Sequence, residues 1–71
     1  METTGSPGVI VFYLADKGYG YLRLEDTREE FHFRAANVVG AVPRKGDRVR
    51  FVLRQGREGY YADAVTVVGT A

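Results

Sequence analysis

Along residues 47–54 the side chains alternate: Val49, Phe51 and Leu53 fall on one side, Arg48, Arg50 and Arg54 on the other. A period of two marks a β-strand with one face to a core and one to water. The same period runs over residues 19–25. Gly20, Leu22 and Leu24 share one face there, and Tyr19, Tyr21, Arg23 and Glu25 share the other. Residues 9–15 form a continuous apolar and aromatic run rich in β-branched side chains, which predicts a first strand. Residues 28–34 predict a third strand and residues 60–68 a fifth.

Breakers separate these runs. Asp16-Lys17-Gly18 ends the first, Asp26-Thr27 suits a tight turn, and residues 55–59 read as a glycine-bounded hairpin loop. The connection 35–46 contains Gly40, Pro43 and Gly46, so it holds no long helix; a single turn fits at 34–38. The pattern places Ile10, Leu22, Leu24, Phe31, Val49, Phe51, Val65 and Val67 in the core.

Five short strands without a helix predict an all-β fold. A sheet this small leaves open edges unless it curls closed. The expected architecture is a five-stranded antiparallel Greek-key barrel of the OB type. Residues 8–68 would form the domain, residues 1–7 a flexible N-terminal segment, and residues 69–71 a C-terminal tail.

Composition narrows the chemistry. A chain of 71 residues with no cysteine and one histidine has no disulfide and no thiolate metal site. No cofactor is expected, and packing must supply the stability. No apolar stretch approaches the roughly 20 residues of a membrane span, and the first residues lack a signal-peptide pattern. A cytoplasmic protein is the expectation, with no membrane partner. The net charge of +1 is neutral on the question of a polyanion. Six of the ten cations nevertheless lie within residues 44–57: Arg44, Lys45, Arg48, Arg50, Arg54 and Arg57. They can follow a phosphate backbone or simply form a solvated outer face.

Catalysis finds no support. No nucleophile is paired with a base, and no phosphate-binding loop is present. Glu29 and Glu30 are adjacent on a strand, so they point to opposite faces and form no carboxylate pair. No enzyme and no small-molecule substrate are expected.

The most informative segment is Lys17-Gly18-Tyr19-Gly20-Tyr21-Leu22. If Leu22 and Leu24 fill the core, the rings of Tyr19 and Tyr21 emerge together on the outer face. Gly20 keeps the opposite face small, and Gly18 permits a sharp bend out of the turn. Two rings at strand spacing make a platform on which flat bases can stack. Hairpin pairing sets Phe31-His32-Phe33 alongside, with His32 outward and Phe31 inward. Strict alternation sends Phe33 inward, whereas a bulge would turn it out. Phe12 and Tyr13 on the first strand add rings.

Over nearly its whole length the chain resembles a bacterial cold-shock domain. Gly8-Val-Ile-Val-Phe-Tyr is similar to that family's opening strand, and Lys17-Gly-Tyr-Gly-Tyr-Leu to its first ribonucleoprotein motif. His32-Phe33 is similar to the end of the second motif. Lys45-Gly-Asp-Arg-Val-Arg-Phe and Gly59-Tyr-Tyr-Ala-Asp-Ala-Val are similar to the fourth and fifth strands. The resemblance implies single-stranded RNA or DNA as partner, base stacking on Phe12, Tyr19, Tyr21, His32 and Phe33, and backbone contacts from Lys17. It implies a role as an RNA chaperone or a regulator of transcription or translation.

The chain departs from the family at several positions. Glu30 stands where an aromatic is usual, Val11 where a lysine is usual, Phe12 for tryptophan and Leu14 for asparagine. The segment 38–43 lacks a phenylalanine often found there. Each change trims ring area or positive charge. Arg23 and Arg34 are candidates to restore charge, Tyr60 and Tyr61 to add stacking area, and Glu30 to contact the ligand. An RNA-recognition motif shares the Lys-Gly-Tyr-Gly-Tyr signature but needs helices that this sequence does not encode. The alternative from another class is a protein-interaction or dimerisation module, since interfaces also favour Tyr and Phe. A monomer is expected under the first reading and a dimer is compatible with the second.

Overall fold

The computed structural model describes residues 5–69. Five strands appear in chain order: β1 (Ser6–Leu14), β2 (Tyr19–Leu24), β3 (Glu30–Arg34), β4 (Arg48–Gly56) and β5 (Gly59–Gly69). One turn of 3₁₀-helix, Ala35–Asn37, follows β3. The strands close into a barrel in the order β1-β2-β3-β5-β4, with β4 returning to β1. The fold is all-β, a closed five-stranded barrel of OB type. Four seams are antiparallel. The fifth, β3 against β5, is parallel and rests on one rung, His32 to Tyr61. That direction follows from the strand order: β4 lies between β1 and β5, antiparallel to both, so β5 runs in the sense of β1, as β3 does.

The first strand begins before the expected boundary. Ser6 and Pro7 belong to β1 and pair with Phe51 and Arg50. Pro7 needs no donor of its own, yet its carbonyl oxygen accepts the Glu25 N–H at 3.0 Å. Gly69 likewise extends β5 opposite Arg48. The rest of the two expected flexible ends, residues 1–4 and 70–71, lies outside the described residues.

Three register shifts shape the barrel, one of them at the end of β5, where Val68 is extra between Val67 opposite Val49 and Gly69 opposite Arg48. Ile10 faces Leu22 and Phe12 faces Tyr21, so Val11 is an extra residue on β1. On β5, three steps from Thr66 to Asp63 answer two from Arg50 to Val52 on β4. Ala64, within that stretch, has φ of 50°, the left-handed region that alanine rarely occupies. A bulge inverts which face the following residues take. Ile10 and Tyr13, three apart, therefore both turn towards the core, and so do Ala62 and Val65.

The core consists of Ile10, Leu22, Phe33, Val49, Phe51, Ala62 and Val65. Leu24, Phe31 and Val67, expected inside, pack half-buried at its margin. Leu53 departs from expectation: it pairs with the buried Ala62 but is itself 42% exposed. Beyond Phe51 no described strand covers the outer edge of β4, so the β4–β5 hairpin runs past the core it would otherwise cover. No helix among the described residues is long and apolar enough to cross a membrane.

Candidate nucleic-acid interface

The outer face of β1, β2 and β3 is a small lattice set by register. Phe12, Tyr21 and His32 lie side by side across the three strands. Leu14, Tyr19 and Arg34 form the row at one end, and Val9, Arg23 and Glu30 the row at the other. Alternation on β2 and β3 turns Tyr19, Tyr21 and His32 outward because Gly20, Leu22, Phe31 and Phe33 face in. Phe12 reaches the same face by another route. Counted by twos from the buried Ile10, it would point inward; the extra residue Val11 reverses it.

The four rings touch. Phe12 and Tyr21 have centroids 5.4 Å apart, Tyr21 and His32 5.6 Å, Tyr19 and His32 6.0 Å, and Phe12 and Tyr19 6.2 Å. Their planes are inclined to one another by 33–82° rather than parallel. Such tilted pairs favour the ring edges and faces mutually. Each ring is half-buried against its neighbours, with one side still open to water.

Gly20 makes this arrangement possible. A Cβ on it would collide with the Phe12 carbonyl oxygen and lie 2.9 Å from the Tyr13 Cα. Its absence lets β1 lie close over β2. Gly18 has φ of 74° in the turn before β2 and donates its N–H to the Leu14 carbonyl at 2.7 Å. That turn leaves Lys17 exposed at the end of the ring cluster.

Phe33 is corrected. It is fully buried and stacks on Tyr13, with centroids 5.6 Å apart and planes within 10°. β3 carries no bulge, so alternation places Phe33 opposite Gly20, whose missing side chain leaves room for the Tyr13–Phe33 pair. It is a core ring and offers no face to a base.

The remaining candidates divide by position. Lys17, Arg34, Tyr19, Tyr21 and His32 line a shallow open dent of about 440 Å³. A wider cleft of about 770 Å³ continues from Tyr21, His32 and Arg34 to Tyr60 and Tyr61 on β5. Tyr61 lies beside His32 on the closing rung, and Tyr60 is 58% exposed. Arg23 and Glu30 face each other at the far end of the lattice, both exposed. Glu30 thus shares the outer face with the rings, diagonal to Tyr21.

The sequence pattern did not point to Asn37 and gave Arg57 no place at the site, yet both line the wider cleft. The Asn37 Oδ1 accepts the Arg34 N–H at 2.9 Å, and its Nδ2 donates to the Asp63 Oδ1 at 3.1 Å. Asp63 also accepts from the Ala64 N–H at 2.8 Å and from the Arg54 Nε at 2.7 Å. The Ala64 N–H, then Arg54 and Asn37, hold the Asp63 carboxyl below the usual carboxylate range. This network ties the 3₁₀ turn to β5 at the cleft's edge. A polar residue three positions after the end of a strand was its only sequence signal.

Among the described residues no group of histidine and carboxylate side chains is disposed to hold a metal ion. No protein-family model matches the chain, and the search of curated proteins returned no match.

Proposed function

We propose that this protein binds single-stranded nucleic acid, RNA or DNA, by stacking bases on Phe12, Tyr19, Tyr21 and His32. The observation that carries the reading is the contiguity of these four rings on the outer face of a closed barrel. Duplexes hide base faces, so single strands are the form such a surface recognises. Lys17 and Arg34 at one end of the cluster would meet phosphates. The barrel, together with the ordered matches of strand and motif, supports membership of the cold-shock family. A cytoplasmic monomer acting as an RNA chaperone or a regulator of transcription or translation accords with that reading and with a chain free of cysteine.

The test is oligonucleotide affinity at fixed salt for the parent protein, Tyr19→Ala and Tyr21→Ala, with circular dichroism to verify folding. Each tyrosine change should weaken single-strand binding by about 1–3 kcal/mol. A duplex should bind more weakly than its separated strands. Glu30→Phe should strengthen binding, since it adds a ring and removes a carboxylate from the face. Unchanged affinity in both tyrosine variants would sink the stacking reading and leave the rings to a protein partner. Weaker binding by Glu30→Phe would make Glu30 a direct acceptor for a base amine.

A further inference from the structure

A second pattern crosses the outer face of the barrel beside the rings. Register sets Glu30 against Arg23, Arg23 against Val9, and Val9 against Arg48, so one row runs over β3, β2, β1 and β4. Arg23 follows Tyr21 by two residues on β2, and Arg50 follows Arg48 by two on β4. At ordinary sheet spacings, Arg23 and Arg48 have Cα atoms about 10 Å apart, and Arg48 and Arg50 about 7 Å. All three arginines are exposed.

The charges along this row are unequal at its two ends. Beyond Arg23 towards β3 stands a carboxylate, Glu30. Towards β4 stands the neutral Val9 and then two guanidinium groups. Arg50 is flanked across the sheet by Pro7 and Thr66 and has no ion-pair partner among the described residues. Arg48 approaches Glu25 at 3.8 Å, a long contact between exposed groups that a phosphate can replace. Arg54 differs: Asp63 holds its Nε at 2.7 Å. The turn before β4 is fastened to β1, with Gly46 N–H donating to the Ile10 carbonyl and Ile10 N–H to the Asp47 carbonyl, each at 2.9 Å. The start of β4 is therefore presented on a fixed support.

We infer that Arg23, Arg48 and Arg50 form a phosphate track that carries a single strand off the rings, over Val9 and onto β4. Along this row Glu30 disfavours the opposite exit, from Arg23 across β3. The inference rests on the proposed single-strand reading and extends the footprint beyond the aromatic cluster. It gives the basic fourth strand a defined task and gives Glu30 one as well: steering.

The test compares oligothymidylates of about four and about twelve nucleotides, spanning the range of such sites, at about 50 and 200 mM salt. The longer strand should bind the parent protein more tightly. In the double variant Arg48→Gln/Arg50→Gln its affinity should fall several-fold, and its log–log salt slope should flatten by about 0.7 for each phosphate no longer neutralised. The short strand should bind parent and variant alike. Val9→Lys, which adds a cation within the row, should strengthen the long strand and leave the short one unchanged. Equal losses on both lengths, or no loss on the long one, would overturn the track. A short strand that binds no variant, beside a long strand that depends on Arg48 and Arg50, would overturn stacking and keep the track.

Discussion

The β2–β3 hairpin and the pair of bulged strands, β1 and β5, solve the same problem differently. In the hairpin, five consecutive residue pairs from Tyr19–Arg34 to Arg23–Glu30 keep strict alternation. The identity of each residue then decides its side: glycine, leucine and phenylalanine inward, tyrosine, histidine and charge outward. On β1 one extra backbone residue, and on β5 two, interrupt the alternation, and position overrules the simple count. The ring cluster draws on both. Three of its members come from the regular hairpin and Phe12 from a bulged strand. The lesson is that a cluster of outward rings can depend as much on a backbone irregularity beneath it as on the side chains it displays.

Truncating the buried side of the regular hairpin should have the largest effect. Phe33→Ala removes a core ring stacked on Tyr13 and should cost about 3–5 kcal/mol in denaturant unfolding. Tyr21→Ala, on the outer face of the same hairpin, should cost far less stability while weakening oligonucleotide binding. Similar stability losses in the two variants would break the distinction between faces. Next comes the close approach of the two regions. Gly20→Ala forces a methyl group against the β1 backbone and should destabilise by about 2–3 kcal/mol, read from the same unfolding curves. A smaller loss would mean that β1 can lift off β2 without cost, and the approach at Phe12 would not be tight.

The bulge at Ala64 on β5 can be tested in the opposite direction. Alanine in the left-handed region carries roughly 1–2 kcal/mol of strain, partly offset by the greater chain entropy of glycine. Ala64→Gly should therefore stabilise by about 0.5–1 kcal/mol, seen as a rise in Tm. A fall in Tm would show that the methyl group packs more than it strains. The smallest effect concerns the carboxylate at that bulge. Asp63 is held below its ordinary value of 3.8, so its hydrogen bonds stabilise the fold fully above that value, and this stability disappears as pH falls through the lower folded value. Thermal unfolding at pH 7 and near pH 3, for the parent and Asp63→Asn, measures this. The parent should lose more stability on acidification than the variant, and identical losses would contradict it.

Much of this fold was legible in the sequence, for physical reasons that differ by element. The alternation of β2 and β4 gave their inward faces as far as Phe51, and the turn residues gave the number of strands. Glu30 was placed on the outer face by its parity with His32. Leu53 was misplaced because alternation reports a face, not whether another strand covers it. Tyr13 and Ala62 were not foreseen as packing inward, since the bulges beside them do not announce themselves: Val11 and Ala64 are ordinary strand residues. Phe33 shows the reverse. Alternation sent it inward and only the family resemblance sent it out, so the residue pattern was the better guide there.

The barrel's last seam has a kinetic consequence. The rings from Phe12 to His32 sit on three strands joined by short turns, whereas closing the cylinder requires positions 32 and 61 to meet on one parallel rung. Contacts so distant in sequence reward the chain only after a long loop has been closed. The β3–β5 rung and the still more distant β1–β4 pairs, such as Val9 with Arg48, are therefore expected to close after the β1–β2–β3 meander. Amide hydrogen exchange should be faster beside this rung than within the β2–β3 hairpin. His32 carries both this rung and a ring of the platform, so under the proposed stacking a bound single strand should slow that exchange.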